Sequence, residues 1–82
     1  MRIAVDISLY PIADEFLPPI KDIVERLNAK PSVQVETNAM STQIRGEYDA
    51  VMSVLDEEIR TTFTQCPKAV FVVKILNNPL ED

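Results

Sequence analysis

Two stretches of helical period are set among stretches of strand period in this chain, and that order limits its architecture more than any single residue does. From Arg2 to Tyr10, Ile3, Val5, Ile7 and Leu9 alternate with Ala4, Asp6, Ser8 and Tyr10, the period-two pattern of a half-buried strand, here ended by Pro11. Pro18 and Pro19 then suit the first turn of a helix, where missing N–H groups cost little. Phe16, Ile20, Ile23, Val24 and Leu27 make its single apolar stripe, and Asn28 to Pro31 end it.

Val33 and Val35 alternate with Gln34 and Glu36, and Thr42 and Ile44 alternate with Ser41, Gln43 and Arg45, which gives two short strands. With Asn38 and Ala39 as the turn, Thr37 faces Met40, Glu36 faces Ser41, Val35 faces Thr42, Gln34 faces Gln43 and Val33 faces Ile44. Apolar then meets apolar and polar meets polar, a match that a one-residue slip destroys. Gly46, the only glycine, is expected to close the third strand and permit a tight entry into a second helix. The stripe of that helix is Tyr48, Val51, Met52, Leu55, Ile59 and Phe63, with Glu47 and Asp49 at its positive N-terminal end. Ala69 to Leu76 is a β-prone fourth strand, with Ala69, Phe71, Val73 and Ile75 on one face and Val70, Val72, Lys74 and Leu76 on the other.

The resulting order, βαββαβ, is an α+β chain of the ferredoxin-like type: one domain over residues 1–82, a four-stranded antiparallel sheet with two helices on one face. The other face stays open. Parity places Asp6, Ser8, Tyr10, Gln34, Glu36, Asn38, Ser41, Gln43 and Arg45 there, beside Val70 and Val72. A face polar at one end and apolar at the other suits an oligomer interface with a polar pocket at its margin. The polar tail from Asn77 onward reads as a frayed end or a subunit contact.

Composition narrows the function classes. The chain has 82 residues, enough for one modest core, and a chain this short buries a small share of its surface alone, so self-association is expected. A net charge of −5, with no basic run and no aromatics interleaved with basic residues, argues against nucleic acid and anionic membranes. No apolar run approaches the ~20 residues of a membrane span and no leader pattern opens the sequence, so a cytoplasmic protein is expected. The single cysteine, Cys66, excludes an intrachain disulfide, and the absence of histidine leaves it without an activating base.

What remains is a recognition surface without catalytic equipment. Ser8, Ser41 and Thr42 bring hydroxyls, Asn38 and Gln43 bring amides, and Tyr10 brings a flat ring, a set able to bond and stack on a small heteroaromatic ring. Asp6 and Glu36 are placed to meet a positive charge. Each residue also has a plainer reading: Asn38 as a turn residue, Thr42 as strand filling, Thr37 as a hairpin edge, Tyr10 as a strand-end anchor, and Met40 and Met52 as core filler. Glu57, Glu58 and Arg60 read as a solvated helix face.

Ile7-Ser8-Leu9-Tyr10-Pro11, Glu36-Thr37-Asn38-Ala39-Met40-Ser41-Thr42 and Gly46-Glu47-Tyr48 resemble the signature segments of the small thiamine-binding, YkoF-like family over nearly the whole chain. The resemblance implies a ferredoxin-like domain that pairs through its sheet into a homodimer or homotetramer. It also implies binding of thiamine or its hydroxymethylpyrimidine moiety without catalysis or cofactor. Carried over residue by residue, it implies Ser8, Tyr10, Thr37, Asn38, Met40, Ser41 and Thr42 as ligand-binding residues, with Gly46 structural.

Enzymatic alternatives on the fold lack their parts. A catalytic phosphate loop after the first strand needs glycines and an arginine, where Tyr10-Pro11-Ile12-Ala13 stands. A metal carrier needs paired cysteines there. The rival to a vitamin binder is a structural or regulatory oligomer that recognises partners through its open face or a free strand edge. For a phosphorylated ligand, Arg45 is the one cation that parity puts on the open face near the hairpin.

Overall fold

The computed structural model describes residues 1–79 and shows the expected order: β1 (Arg2–Pro11), α1 (Leu17–Asn28), β2 (Gln34–Thr37), β3 (Thr42–Glu47), α2 (Tyr48–Gln65) and β4 (Ala69–Asn77). The strands run β2-β3-β1-β4 across the sheet and every neighbouring pair is antiparallel. Both helices lie on one face: α1 rests on β1 and β2, and α2 on β1 and β3. The chain is therefore ferredoxin-like, as its periodicity predicts.

The core follows the alternation. Ile3, Val5, Ile7 and Leu9 of β1 and Ile44 of β3 meet Ile23 and Leu27 of α1 and Val51, Val54 and Leu55 of α2. Each such side chain contributes ~1.5–3 kcal/mol when fully buried. Pro18 and Pro19 fall in the first turn of α1, where no hydrogen bond is forfeited. Cys66 is buried beside this core.

The hairpin register differs from the expected one by two residues. Thr37 faces Thr42, Glu36 faces Gln43, Val35 faces Ile44 and Gln34 faces Arg45, so the connection is the four-residue loop 38–41 rather than Asn38-Ala39 alone. Asn38 explains the longer loop. Its Oδ1 accepts from the backbone N–H groups of Met40 (2.7 Å) and Ser41 (3.0 Å), while its own N–H donates to the Ser41 carbonyl at 3.0 Å. A side chain that satisfies two backbone donors favours this loop over a tight turn. Because the shift is even, every side chain keeps its expected face.

Further expectations need correction. β3 continues through Gly46 to Glu47, with Gly46 opposite Ile3 and outside the left-handed region. An added Cβ would meet Val33 Cγ1 and Val51 Cγ2 at 3.5 Å, ordinary contact distance, so Gly46 supplies no conformational freedom that the turn into α2 requires. Met40 is 86% exposed at the hairpin tip and is not core filler, whereas Met52 does pack against the core. The buried stripe of α2 is Val51, Val54, Leu55, Glu58 and Thr62; Tyr48 and Phe63, expected on the stripe, are exposed. Phe63 instead packs its ring against Phe71 of β4, centroids 5.5 Å apart.

Glu58, expected in solvent, is 1% exposed. It lies where α1 crosses α2, and its carboxylate accepts from Arg26 Nε and from Lys30 Nζ, the latter at 2.8 Å. Arg26 also donates to Thr62 Oγ1 at 2.8 Å and pairs with Asp22, while Lys30 reaches Glu57 at 3.1 Å. Burial alone would raise the Glu58 carboxyl, but the hydrogen bonds from Lys30 and Arg26 outweigh it and hold the group below the ordinary glutamate range. The same bond from Glu58, then that from Glu57, holds the Lys30 ammonium above its ordinary value.

Of the polar tail, Asn77 still pairs with Ile3, and the Asn78 N–H donates to the Arg2 carbonyl at 3.2 Å. Asn78 adopts the left-handed region (φ 58°) that asparagine tolerates. The remainder of the tail expectation, residues 80–82, lies outside the described residues.

Candidate functional site

Where β1 ends, the hairpin loop and the apolar side of α1 border a cavity of about 470 Å³, within the usual ~300–1,000 Å³ of ligand pockets. Its apolar wall comes from Phe16, Ile20, Ile23, Val24 and Leu27 of α1 and its lead-in, with Ile7, Leu9 and Phe71 from the sheet. Its polar side comes from the loop, Thr37 to Thr42. Among the described residues that line it, none carries a charge.

All seven residues singled out in the sequence border this one cavity: Ser8, Tyr10, Thr37, Asn38, Met40, Ser41 and Thr42. They do not all aim into it. Thr37 and Thr42 share the helix-facing parity of Ile44, and their hydroxyls lie 3.1 Å apart, with Thr42 only 4% exposed. Ser8 and Tyr10 alternate toward the open face and reach the cavity at its rim. Ser41 turns its hydroxyl to the open face, where it donates to Asp6. Asn38 has committed its oxygen to the loop. Met40, at the tip, borders the cavity with an exposed apolar side chain.

This cavity opens on the helix side of the sheet end, whereas parity alone puts a polar pocket on the open face. The apolar α1 wall was legible as a stripe but not as a pocket lining, because periodicity reports which residues are covered and not whether the cover is complete. The open face has a shallower depression of about 220 Å³ at its other end, over Ala4, Asp6, Gln43, Arg45 and Lys74. Arg45 therefore stands away from the cavity.

One contributor had no sequence signal beyond its place at the helix end. Asn28, the last residue of α1, donates from Nδ2 to the Val24 carbonyl at 2.8 Å and to Thr37 Oγ1 at 3.0 Å, tying the helix to the hairpin. Among the described residues there is no group of three or more His, Cys, Asp or Glu placed to hold a metal. No helix among them is long and apolar enough to cross a membrane.

The sequence pattern of a family described as thiamine-binding protein matches residues 5–80. The chain belongs to the thiamine-binding protein family. Its resemblance to that family in the segments around Ser8, Asn38 and Gly46 thus extends along almost the full length. No curated protein sequence matches this member of the family.

Solved structures share the fold of this thiamine-binding family member. A Streptococcus pneumoniae protein superposes with a TM-score of 0.89 at 18% identity, covering 100% of this chain and 92% of its own. A Thermotoga maritima protein, provisionally named for thiamine biosynthesis or salvage, gives 0.85 at 18% identity, covering 95% and 85%. A hypothetical protein of Methanocaldococcus jannascii gives 0.80 at 22% identity, covering 99% and 84%. At these identities the likeness concerns the fold.

Proposed function

We propose that the protein binds thiamine or its hydroxymethylpyrimidine moiety, without chemistry on it, in the cavity between α1 and the loop 38–41. The observation that carries this reading is convergence: seven residues from segments far apart in sequence border one cavity whose lining is uncharged and whose polar groups are hydroxyls and amides. An aminopyrimidine is neutral and planar, and it carries donors and acceptors on its edge, which is what such a lining takes. The cationic ring of thiamine would sit outward, near the mouth. With Arg45 on the open face, a phosphorylated ligand finds no cation among the residues lining the cavity, so the unphosphorylated forms are the proposed ligands.

The second part of the proposal is assembly. Val70, Val72 and Leu76 are exposed on β4 beside Tyr10, and the register places them across from Tyr10, Ser8 and Ala4 on the open face. That strip, apolar except for Lys74 between Val72 and Leu76, suits sheet-to-sheet pairing of two copies. It is also the observation that favours the rival reading, an oligomeric interaction module with no small ligand.

Calorimetric titration with thiamine and with hydroxymethylpyrimidine, with solution mass recorded on the same sample, separates the two readings. Saturable binding at one site per chain, weakened by Thr42→Val in an unchanged oligomer, is the expected result. No heat and no thermal stabilisation at millimolar ligand would leave the interaction module as the description of the protein.

A further inference from the structure

We infer that Asn28, a residue outside the signature segments, determines the hydrogen-bonding polarity of the cavity and so its preference for a neutral edge with one donor and one acceptor. This rests on the pyrimidine-binding reading and extends it from a ligand class to the group that reads it.

The argument is a count of protons. Asn28 Nδ2 has two N–H groups and no acceptor, and both are used, on the Val24 carbonyl at 2.8 Å and on Thr37 Oγ1 at 3.0 Å. Turning the amide over would set its oxygen against the Val24 carbonyl oxygen, so the orientation is fixed. Thr37 must therefore accept from Asn28, and it also shares a proton with Thr42 Oγ1 at 3.1 Å. Two hydroxyls bring two protons and four lone pairs. Asn28 occupies one lone pair, and the bond between the threonines occupies one proton and one lone pair. One proton and two lone pairs remain for a ligand. Because the bond between the threonines can run either way, the proton can be presented by Thr37 or by Thr42.

The edge of a neutral 4-aminopyrimidine offers an amine donor beside a ring-nitrogen acceptor, which this remainder satisfies in full. Asn28→Asp reverses the count. A carboxylate only accepts, so it draws the Thr37 proton to itself, Thr42 donates to Thr37, and no proton is left for the cavity. The threonine pair then presents lone pairs alone, which oppose the neutral ring nitrogen and welcome it once protonated. Asparagine at this position thus selects the neutral ring, and aspartate would select the cation.

The test uses the full chain and 4-amino-5-hydroxymethyl-2-methylpyrimidine, titrated by calorimetry at about pH 7.5 and pH 5.5, where an exposed aspartate stays ionised. Asn28→Asp is expected to bind roughly 5- to 150-fold more weakly than wild type at the higher pH. It should then gain affinity on acidification while wild type holds or loses it. A second pair guards against a folding defect, checked by circular dichroism: Thr42→Val should lose affinity over the same range and Thr42→Ser should restore it. Wild-type binding with Asn28→Asp sharing the wild-type affinity and pH profile overturns the role of Asn28 and leaves the pyrimidine reading standing. If Asn28→Asp does not fold, equal affinities for Thr42→Val and Thr42→Ser overturn the inference instead. Absence of wild-type binding at millimolar probe overturns both.

Discussion

Replacing Glu58 by Gln tests whether the ion network between the helices is a stabilising element or a tolerated one. Glutamine keeps the volume and one acceptor oxygen but sets an N–H₂ group against a cationic donor. One charge-assisted hydrogen bond, worth about 1.5–3 kcal/mol, is lost, and the other keeps its cationic donor but loses its anionic acceptor and is weakened. The sum overstates the effect. Arg26 and Lys30 keep 21% and 23% side-chain exposure, and both retain other partners, Asp22 and Thr62 for the first and Glu57 for the second. A loss of about 2 kcal/mol follows, or a fall in Tm of about 8–16 °C for a domain of this size. Acid should then erase the difference. The Glu58 carboxyl is held below its ordinary range in the folded state, so its contribution is complete above the unfolded value of about 4.3 and disappears as pH falls through the lower folded value. At the alkaline end the network weakens again when pH passes the raised value of Lys30. Urea unfolding of wild type and Glu58→Gln at pH 7 and near pH 3 is the assay. A gap below about 0.5 kcal/mol at pH 7, the scatter of an ordinary surface substitution, or an equal gap at both pH values would refute the reasoning.

Other substitutions probe the hairpin, the glycine and the open face. Asn38→Ala removes the acceptor for two loop N–H groups and should cost about 1 kcal/mol, read as a Tm lower by about 4–8 °C. Gly46→Ala should be neutral or stabilising by up to about 1 kcal/mol in the same melt, since the backbone there is ordinary and the new methyl meets only contact distances. Val72→Asp, in the middle of the exposed β4 strip, should leave the melting of the isolated domain within about 0.5 kcal/mol while reducing the solution mass to that of one chain. Sedimentation at matched concentrations would show it, and an unchanged mass would exclude the strip as an interface.

The faces of the strands were legible because alternation is a local property: Ile3, Val5, Ile7 and Leu9 need no knowledge of the rest of the chain to declare their side. The hairpin shows where that stops. Parity fixed which side Thr37 and Thr42 occupy, but two registers of equal parity exist, and the Asn38 side chain decides between them through bonds within the loop. Glu58 looks solvated in the sequence because it ends the acidic run Asp56-Glu57-Glu58. Its neighbours on the helix wheel, Val51, Val54 and Leu55, place it on the buried stripe, and its partners are Arg26 on the other helix and Lys30 just past that helix's end. A charge with its counter-charge in a distant segment is indistinguishable from a solvated one until the helices are docked. The seven candidate residues came from resemblance to a family, and the structure gathers them around one cavity. Asn28, outside those segments, was seen only as a helix end, because its bond to Thr37 depends on where α1 stops relative to β2.

The even step in the hairpin register sets a rule for change. A slip of the β2–β3 pairing by two residues would re-pair the strands without moving any side chain through the sheet, whereas a slip by one would turn Val35 or Ile44 out into water. Residues added between Thr37 and Thr42 lie outside that pairing, so the loop over the cavity can change in length while the domain beneath it stays as it is. Descendants of this chain, or a designer grafting new loops onto it, can vary the loop for new ligands without disturbing the sheet.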